Sequence, residues 1–218
     1  MSLLQVINKA AGDSKYQNAR KHLAKGIEDH GKNLNLKCDH RVLMFLPQVM
    51  HEAGNGQWLK ELWGPTAAQK RYEGRKDLGN TEPGDGIKYR GRGWIQCTGR
   101  ANYRECTKWL REIKTKAIDF EVFPGHLAEP EWAAWSAFWY WSQRVPMRYV
   151  DEGDIDRVTR SINGGYNGLQ DRKDKFTACG LAMLGFPTIA NFQQSHGLVS
   201  DGISGPLTRK AIFDAVKG

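Results

Sequence analysis

Carboxylate side chains at two points of the chain have the type and spacing that acid–base chemistry needs. Glu52 follows an apolar run and precedes the helix-breaking Gly54, and Glu61 comes nine residues after Glu52. In an unbroken helix of about 100° per residue Glu61 would lie on the opposite face, whereas the break lets the chain return across a cleft. Two carboxylates flanking a groove suit glycoside hydrolysis, in which one protonates the leaving oxygen and the other activates water. A Glu that merely ends a helix at the surface is the competing interpretation of Glu52.

The surroundings of Glu52 in the sequence favour a general acid over a metal ligand. An apolar wall disfavours the charged form of a carboxyl group, which suits a proton donor. A zinc-protease helix needs a second His three residues after the Glu, and residue 55 is Asn. Glu73 and Asp85 are further carboxylate candidates. This chemistry needs neither a metal nor an organic cofactor.

The stretch around Gln96 is the richest in glycine and in polar side chains. Glycine lets the backbone approach a bound molecule closely. Gln96, Thr98 and Asn102 offer amide and hydroxyl groups suited to sugar hydroxyls and N-acetyl groups. Arg90 and Arg92 could instead form an RGG-like nucleic-acid patch, although no helix-turn-helix, RNP or zinc-finger pattern accompanies them.

Composition limits the class of partner. The chain has 218 residues, a net charge of +8, eight Trp and 24 Gly. The positive charge predicts an anionic partner, for which nucleic acid, a membrane surface or an acidic polymer would each fit. No apolar run approaches the roughly 20 residues of a membrane span. The N-terminus lacks the pattern of a secretory signal, so we expect the protein to be made in a cytosol.

Helical patterns predict a mainly α fold around an irregular middle. Glycines and prolines recur from residue 54 to residue 99, which indicates loops and a short hairpin. Helical spacing is found in residues 1–50, 101–116, 130–143, 155–162 and 171–184. A break at residues 185–187 predicts a small separate unit at the C-terminus.

Two groups of side chains on these elements have alternative interpretations. The tryptophans of residues 130–143 recur at helical spacing, which is typical of core packing. Trp58, Trp63 and Trp94 are expected near the cleft. Asn163 closes a predicted helix, where it could bind a ligand or serve only as part of a helix C-cap.

Taken together, these motifs closely resemble glycoside hydrolase family nineteen, in its bacteriophage endolysin branch. The resemblance covers roughly residues 1–185. Its motifs occur in the family's order and spacing, and they are His51–Gly54, Glu61, Tyr72–Arg75, Leu78–Gly86, Tyr89–Gly93, Ile95–Gln96, Asn102–Tyr103 and Ile162–Gly165.

The resemblance implies an α-helical, lysozyme-like fold and inverting hydrolysis of β-1,4 bonds beside N-acetylated sugars. It places Glu52 on the general acid, Glu61 on the base that activates water, and Thr98 on a hydroxyl that helps to hold that water. Glu73 lies where members with longer loops place acidic residues, which leaves the choice of base open. The residues expected to bind substrate are Glu73, Tyr89, Arg92, Gln96, Asn102, Asn163 and Arg172, the last as the arginine that organises the acidic cluster.

The tail, residues 186–218, resembles the second half of a type-one peptidoglycan-binding module. This resemblance favours bacterial peptidoglycan over chitin as the substrate, so we expect a muramidase. We also expect the enzyme to be a monomer and to bind no nucleic acid. Such an enzyme would reach the cell wall or periplasm after membrane permeabilisation. The alternatives are a chitinase on the same fold and a non-catalytic protein that binds cell wall or nucleic acid.

Overall fold

Helices form nearly all of the regular structure. The computed structural model describes residues 1–218, and two isolated antiparallel bridges, Lys60–Arg92 and Arg92–Cys97, are its only β-structure. The mainly α fold with an irregular middle is therefore confirmed. The helices are α1 (Leu3–Ala11), α2 (Gln17–His30), α3 (Asp39–Glu52), α4 (Ala67–Lys70), α5 (Asp85–Lys88), α6 (Arg100–Ile113), α7 (Pro130–Arg144), α8 (Met147–Asp151), α9 (Ile155–Asn163), α10 (Leu169–Leu184), α11 (Ile189–Ser195) and α12 (Pro206–Lys217).

Local sequence signals set many of the helix ends. The Ser2 hydroxyl accepts from the Gln5 amide and the Gln5 side chain accepts from the Ser2 amide, which gives α1 a capping box. Asp154 caps α9 by accepting from the Arg157 amide, and Gly164 ends the same helix in the left-handed conformation. Asn163, at the end of α9, is thus placed by a short helix with a cap at each end.

Helix α3 is the central element of the core. All of its residues from Val42 to Met50 are buried, and it packs along α10. Phe45 contacts Phe138 and Trp141 of α7, at ring-centroid distances of 5.8 and 5.2 Å. Pro47 lies inside the helix, where it removes one backbone hydrogen bond without ending the helix. The end of α3, which carries Glu52, is therefore fixed by packing on several sides.

The sequence predicted a core or cleft position for seven of the eight tryptophans. The four on α7, Trp132, Trp135, Trp139 and Trp141, are buried, which confirms their core role. Trp94 is also fully buried, so its expected place near a cleft is wrong. Its ring lies in the interior, beside Gly56 and Ala19. Trp58 and Trp63 keep exposed surface.

Helix α12 packs on α3 and α10, the helices that carry Glu52 and Arg172, and α11 packs on α10. Phe192 and Ile212 are fully buried within the same hydrophobic core as α3 and α10. A Cβ built at Gly180 of α10 would lie 2.2 Å from the Ile212 side chain, so α12 approaches α10 closely at this glycine. No helix of the molecule is both long and apolar enough to cross a membrane.

Candidate active site

Three short backbone segments meet around Arg92 and form a small platform after α3. The Glu61 amide donates to the Gly91 carbonyl at 2.9 Å, and the Gly93 amide donates to the Leu59 carbonyl at 2.9 Å. Arg92 and Cys97 exchange backbone hydrogen bonds of 3.1 and 2.8 Å. Residues 59–98, here called the Glu61 loop, thus gain a fixed backbone without forming a regular sheet.

The platform is attached to α7 through a glycine. Gly93 has φ of +76°, and a Cβ built there would lie 2.1 Å from the Ser136 Oγ and 2.8 Å from the Ala133 carbonyl oxygen. The next amide, that of Trp94, donates to the same Ala133 carbonyl at 3.1 Å. Glycine at this position therefore permits both the turn and the contact with the helix.

Glu52 lies at the end of α3 and contacts Arg172 of α10. Arg172 is fully buried, and its Nη2 donates to the Glu52 Oε1. Its Nη1 donates to the Gln48 Oε1 at 2.7 Å and to the Gln48 carbonyl at 3.2 Å. The apolar run of the sequence predicted an apolar wall beside Glu52, whereas the contact is with the guanidinium of Arg172, the residue that the family resemblance assigned to the acidic cluster. Gln48, Glu52, Thr159 and Arg172 are here called the Glu52 pocket, since the Gln48 amide also bonds to the Thr159 hydroxyl at 3.3 Å.

Neutral groups hold Glu61. Its Oε2 accepts from the Gly91 amide at 3.0 Å, and its Oε1 accepts from the Gln69 Nε2 at 3.0 Å. The Tyr72 hydroxyl lies 3.5 Å from the same Oε1. Burial raises the pKa of Tyr72 above its ordinary value, and the negative charge of Glu61 adds to this effect, so the hydroxyl remains a donor. No cation lies within 4 Å of the Glu61 carboxylate, which distinguishes it from Glu52.

Gln69 is a functional candidate that the sequence reasoning missed. Its Oε1 accepts from the Gly64 and Thr66 amides at 3.0 and 2.9 Å, while its Nε2 donates to Glu61 and to the Leu62 carbonyl. The Thr66 hydroxyl accepts from the Gln69 amide, which forms a capping box at the start of α4. The Thr-x-x-Gln spacing was therefore the available signal. It could indicate a helix start, but it could not show that the amide also reaches Glu61.

The polar residues after Arg92 mainly bind one another. The Gln96 Nε2 donates to the Trp58 carbonyl at 2.6 Å and to the Gly93 carbonyl at 3.1 Å, and Gln96 has a left-handed φ of +52°. The Thr98 hydroxyl donates to the Gln96 carbonyl at 2.9 Å, and the Asn102 Nδ2 donates to the Thr98 carbonyl at 2.7 Å. All three keep some exposed surface, and a hydroxyl that donates can still accept from a water molecule. The strained Gln96 backbone is typical of a functional position.

Three other predicted site residues have structural partners. Glu73 accepts from the Gly84 amide at 2.6 Å and from the Gly86 amide at 2.8 Å, so its two carboxylate oxygens hold the first turn of α5. Tyr89 is fully buried, and its hydroxyl donates to the Glu121 carbonyl at 2.9 Å. Arg92 is buried too, and its Nη1 donates to the Tyr103 hydroxyl at 2.8 Å. Tyr89 and Arg92 therefore support the loop from inside, which differs from the expected contact with substrate.

A buried ion pair fastens the end of the Glu61 loop to α6. The Asp85 carboxylate accepts from Arg100 Nε at 2.9 Å and from Arg100 Nη2 at 2.6 Å. Burial by itself would raise the pKa of Asp85, but hydrogen bonds from Arg100 and from the Glu82 amide outweigh burial and hold the pKa below its ordinary value. Asn80 is fully buried nearby and accepts from the Arg100 amide at 2.9 Å.

Asn163 and the residues around it lie on the Glu52 side of the site. Asn163 is exposed at the end of α9. The Tyr140 hydroxyl donates to the carbonyls of Ser161 and Ile162 at 3.3 and 3.4 Å, which ties α7 to this helix end. Thr159 of the same helix bonds to Gln48 of the Glu52 pocket at 3.3 Å. Burial raises the pKa of Tyr140, Arg144 opposes that shift, and the charge of Glu52 adds to it.

His51 forms a second contact between α3 and α10. Its Nδ1 lies 2.6 Å from the Asp171 Oδ2, and Lys175 Nζ donates to the other Asp171 oxygen at 2.5 Å. Burial raises the pKa of Asp171, but the hydrogen bonds from Lys175 and His51 outweigh it and lower the pKa overall. His51 is therefore a structural partner of α10 in this arrangement.

Similarity to known proteins covers a large part of the chain. No family model matches the sequence. A Haemophilus influenzae protein described as a glycosyl hydrolase family 19 domain-containing protein is 33% identical over 156 aligned residues, which cover 59% of this chain and 73% of that protein.

Two solved structures have a similar fold. The crystal structure of chitinase C from Streptomyces griseus superposes with a TM-score of 0.58 at 25% identity, covering 76% of this chain and 84% of that chain. A point mutant of chitinase C gives the same TM-score and coverage at 24% identity. The chain therefore belongs to glycosyl hydrolase family 19 and is a glycoside hydrolase.

Proposed function

We propose that this glycoside hydrolase is a muramidase of the bacteriophage endolysin type, which cuts the β-1,4 bond between N-acetylmuramic acid and N-acetylglucosamine in peptidoglycan. The observation that carries the proposal is the pair of carboxylates, Glu52 and Glu61, each fixed by its own donors on adjoining parts of the fold. Gln96 links the two parts, because it belongs to the Glu61 loop and donates to Trp58, close after α3.

In the proposed reaction Glu52 is the general acid and Glu61 the general base. Glu52 gives its proton to the glycosidic oxygen as the bond from that oxygen to the sugar C1 breaks. Glu61 takes a proton from a water molecule whose oxygen attacks C1 from the opposite face, so the configuration at C1 inverts. Arg172 stabilises the carboxylate that Glu52 becomes. Thr98 is assigned to hold the attacking water, and Gln96, Asn102 and Asn163 to line the sugar subsites.

The preference for peptidoglycan rests on charge and on the tail. A chain of net charge +8 is attracted to an anionic wall polymer, an attraction that salt should weaken. Residues 186–218 resemble half of a wall-binding module. We therefore assign residues 1–185 to the hydrolase and residues 186–218 to a partial accessory unit. We further propose that the enzyme is a monomer and that it acts on the wall after the membrane has been permeabilised.

Chitin is the second candidate substrate, because the solved structures with a similar fold are those of chitinase C. Clearing of peptidoglycan suspensions, measured with the wild type and Glu52→Gln, tests the proposal against this alternative. Clearing by the wild type alone supports it, and mass spectrometry of the products should find N-acetylmuramic acid at the reducing end. Cleavage of chitin oligomers with no clearing would favour the chitinase. Equal clearing by both variants would remove Glu52 as the acid.

A further inference from the structure

Three arginines of the Glu61 loop, Arg71, Arg90 and Arg92, have no anionic partner within 4 Å. Arg71 is exposed and Arg92 is buried, so Arg90 is the half-buried one of the three. Other arginines in and beside the loop are paired. Arg100 pairs with Asp85, Arg104 with Glu121, and Arg75 with Asp77. The Arg90 side chain makes one hydrogen bond, from its Nη1 to the Ile87 carbonyl at 3.0 Å, and its Nε is buried with no partner. Burial lowers the pKa of Arg90, and the neighbouring Arg92 lowers it further, so the positive charge of Arg90 is disfavoured at this position.

The backbone around Arg90 fixes its position relative to Glu61. The Tyr103 hydroxyl donates to the Arg90 carbonyl at 2.7 Å. The next residue, Gly91, both donates to the Glu61 carboxylate and accepts from the Glu61 amide. The Arg90 guanidinium interacts electrostatically with Glu61 but forms no ion pair with it within 4 Å. Arg90 keeps part of its surface exposed.

A guanidinium held in this way fits a carboxylate on the substrate. Its planar fork offers two parallel N–H donors, and pairing would satisfy the donors that the protein leaves free. Chitin carries no carboxylate. Peptidoglycan carries them on its peptide stems, and on the lactyl group of N-acetylmuramic acid wherever the stem has been removed.

We propose that Arg90 is a specificity-determining residue that binds a carboxylate of the peptidoglycan strand next to Glu61. This inference rests on the proposed muramidase function and deepens it. Arg90 does not take part in proton transfer, so its contribution depends on whether the substrate carries the anion.

The test compares Arg90→Gln with the wild type on intact peptidoglycan, on peptide-free glycan strands and on chitin oligomers. We expect kcat/KM to fall about tenfold or more on substrates that carry the bound carboxylate, because a charge-assisted hydrogen bond is lost. On chitin oligomers the change should stay below about twofold. If kcat/KM falls only on intact peptidoglycan, the bound carboxylate belongs to the peptide stem. If it falls on peptide-free strands as well, the bound carboxylate is that of the lactyl group.

Two further variants separate recognition from general charge and from an effect on Glu61. Arg90→Lys keeps the charge but not the fork and should recover part of the loss. Lys21→Gln removes one exposed charge from α2 and should leave kcat/KM unchanged on all three substrates. Binding of the same oligosaccharides in a Glu52→Gln background, measured by calorimetry, gives the comparison without turnover.

The proposal is overturned if Arg90→Gln lowers kcat/KM equally on all three substrates and shifts the pH profile on chitin oligomers, because Arg90 would then act through Glu61. It is also overturned if no substrate is affected. If the proposed muramidase function itself is wrong, the wild type will cleave neither peptidoglycan nor peptide-free strands. That result is distinct from a wrong role for Arg90.

Discussion

Glu52 and Glu61 are held by two different kinds of structure. Glu52 ends a helix that is buried along most of its length, and it contacts the fully buried Arg172 of a second helix. Glu61 lies on a loop, and its carboxylate accepts hydrogen bonds only from neutral groups, those of Gly91, Gln69 and Tyr72. Core packing therefore fixes the first carboxylate, whereas a network of short-range hydrogen bonds fixes the second.

This difference separates stability from activity in the two regions. Changes in the Glu52 pocket should affect the folding of the whole chain, because the pocket and the core share α3 and α10. Changes close to Glu61 should affect activity more than global stability, because no residue between Ala53 and Tyr89 belongs to the buried hydrophobic core. The end of the Glu61 loop differs, since Tyr89, Trp94 and Cys97 are core residues.

The largest expected effect is on the rate, at Glu61. Glu61→Gln should lower kcat on peptidoglycan by about 10²–10⁴-fold, the usual contribution of acid–base catalysis, with little change in the free energy of unfolding. Glu73→Gln is the matched control, because the Glu73 carboxylate binds two loop amides. A larger loss of rate at Glu73 than at Glu61 would transfer the role of base to Glu73.

The next effect is on stability, in the Glu52 pocket. Arg172→Gln should lower the free energy of unfolding by about 3 kcal/mol, because it deletes a fully buried cation and leaves Glu52 and Gln48 without its hydrogen bonds. Gln69→Ala is the corresponding change in the Glu61 loop. It should lower the free energy of unfolding by only about 1 kcal/mol and should affect the catalytic rate more than the stability. Denaturant unfolding of both variants checks the difference. Equal losses of stability would mean that the two regions fold as one unit.

A comparable effect is expected where the loop contacts α7. Gly93→Ala should destabilise the protein by about 3 kcal/mol, because the added Cβ meets Ser136 and Ala133. Gly74→Ala is the control, since Gly74 also has a positive φ but has no atom within 4 Å of the added Cβ. It should cost only about 1–2 kcal/mol, the ordinary strain of a left-handed residue. Thermal unfolding distinguishes the two, and similar shifts in Tm would remove the contact as the cause.

The smallest effect concerns the pH dependence of the loop. The pKa of Asp85 is lower in the folded protein than in the unfolded chain, so Asp85 contributes stability above its ordinary pKa of about 4, and that contribution is lost as the pH falls through the folded value. Asp85→Asn should therefore cost about 2 kcal/mol at neutral pH, and the difference from the wild type should shrink below about pH 4. Urea unfolding across this range is the measurement. A difference that does not change with pH would contradict the ion-pair explanation.

Sequence reasoning was most successful where a signal is local. The α7 tryptophans repeat at helical spacing, and one face of a helix must be buried, so their core position could be predicted. Trp94 has no such repeat, and its burial depends on Gly56, 38 residues earlier, which leaves room for the ring. The side chains of Tyr89 and Arg92 turn inward for a similar reason, because their partners, Glu121 and Tyr103, lie on other elements.

The sequence by itself determined the helical class, the glycine-rich loop between Glu52 and Arg100, and the two carboxylates at the ends of their segments. These follow from residue type and from spacing over a few residues. Residue type and spacing could not show what each carboxylate contacts, because Arg172 is 120 residues from Glu52 and Gly91 is 30 residues from Glu61. The family resemblance assigned Arg172 to the acidic cluster, and only the tertiary structure gave the contacts of Glu61. Hydrogen bonds depend on distance and angle between groups in space, and sequence spacing does not fix either once the chain has turned back on itself.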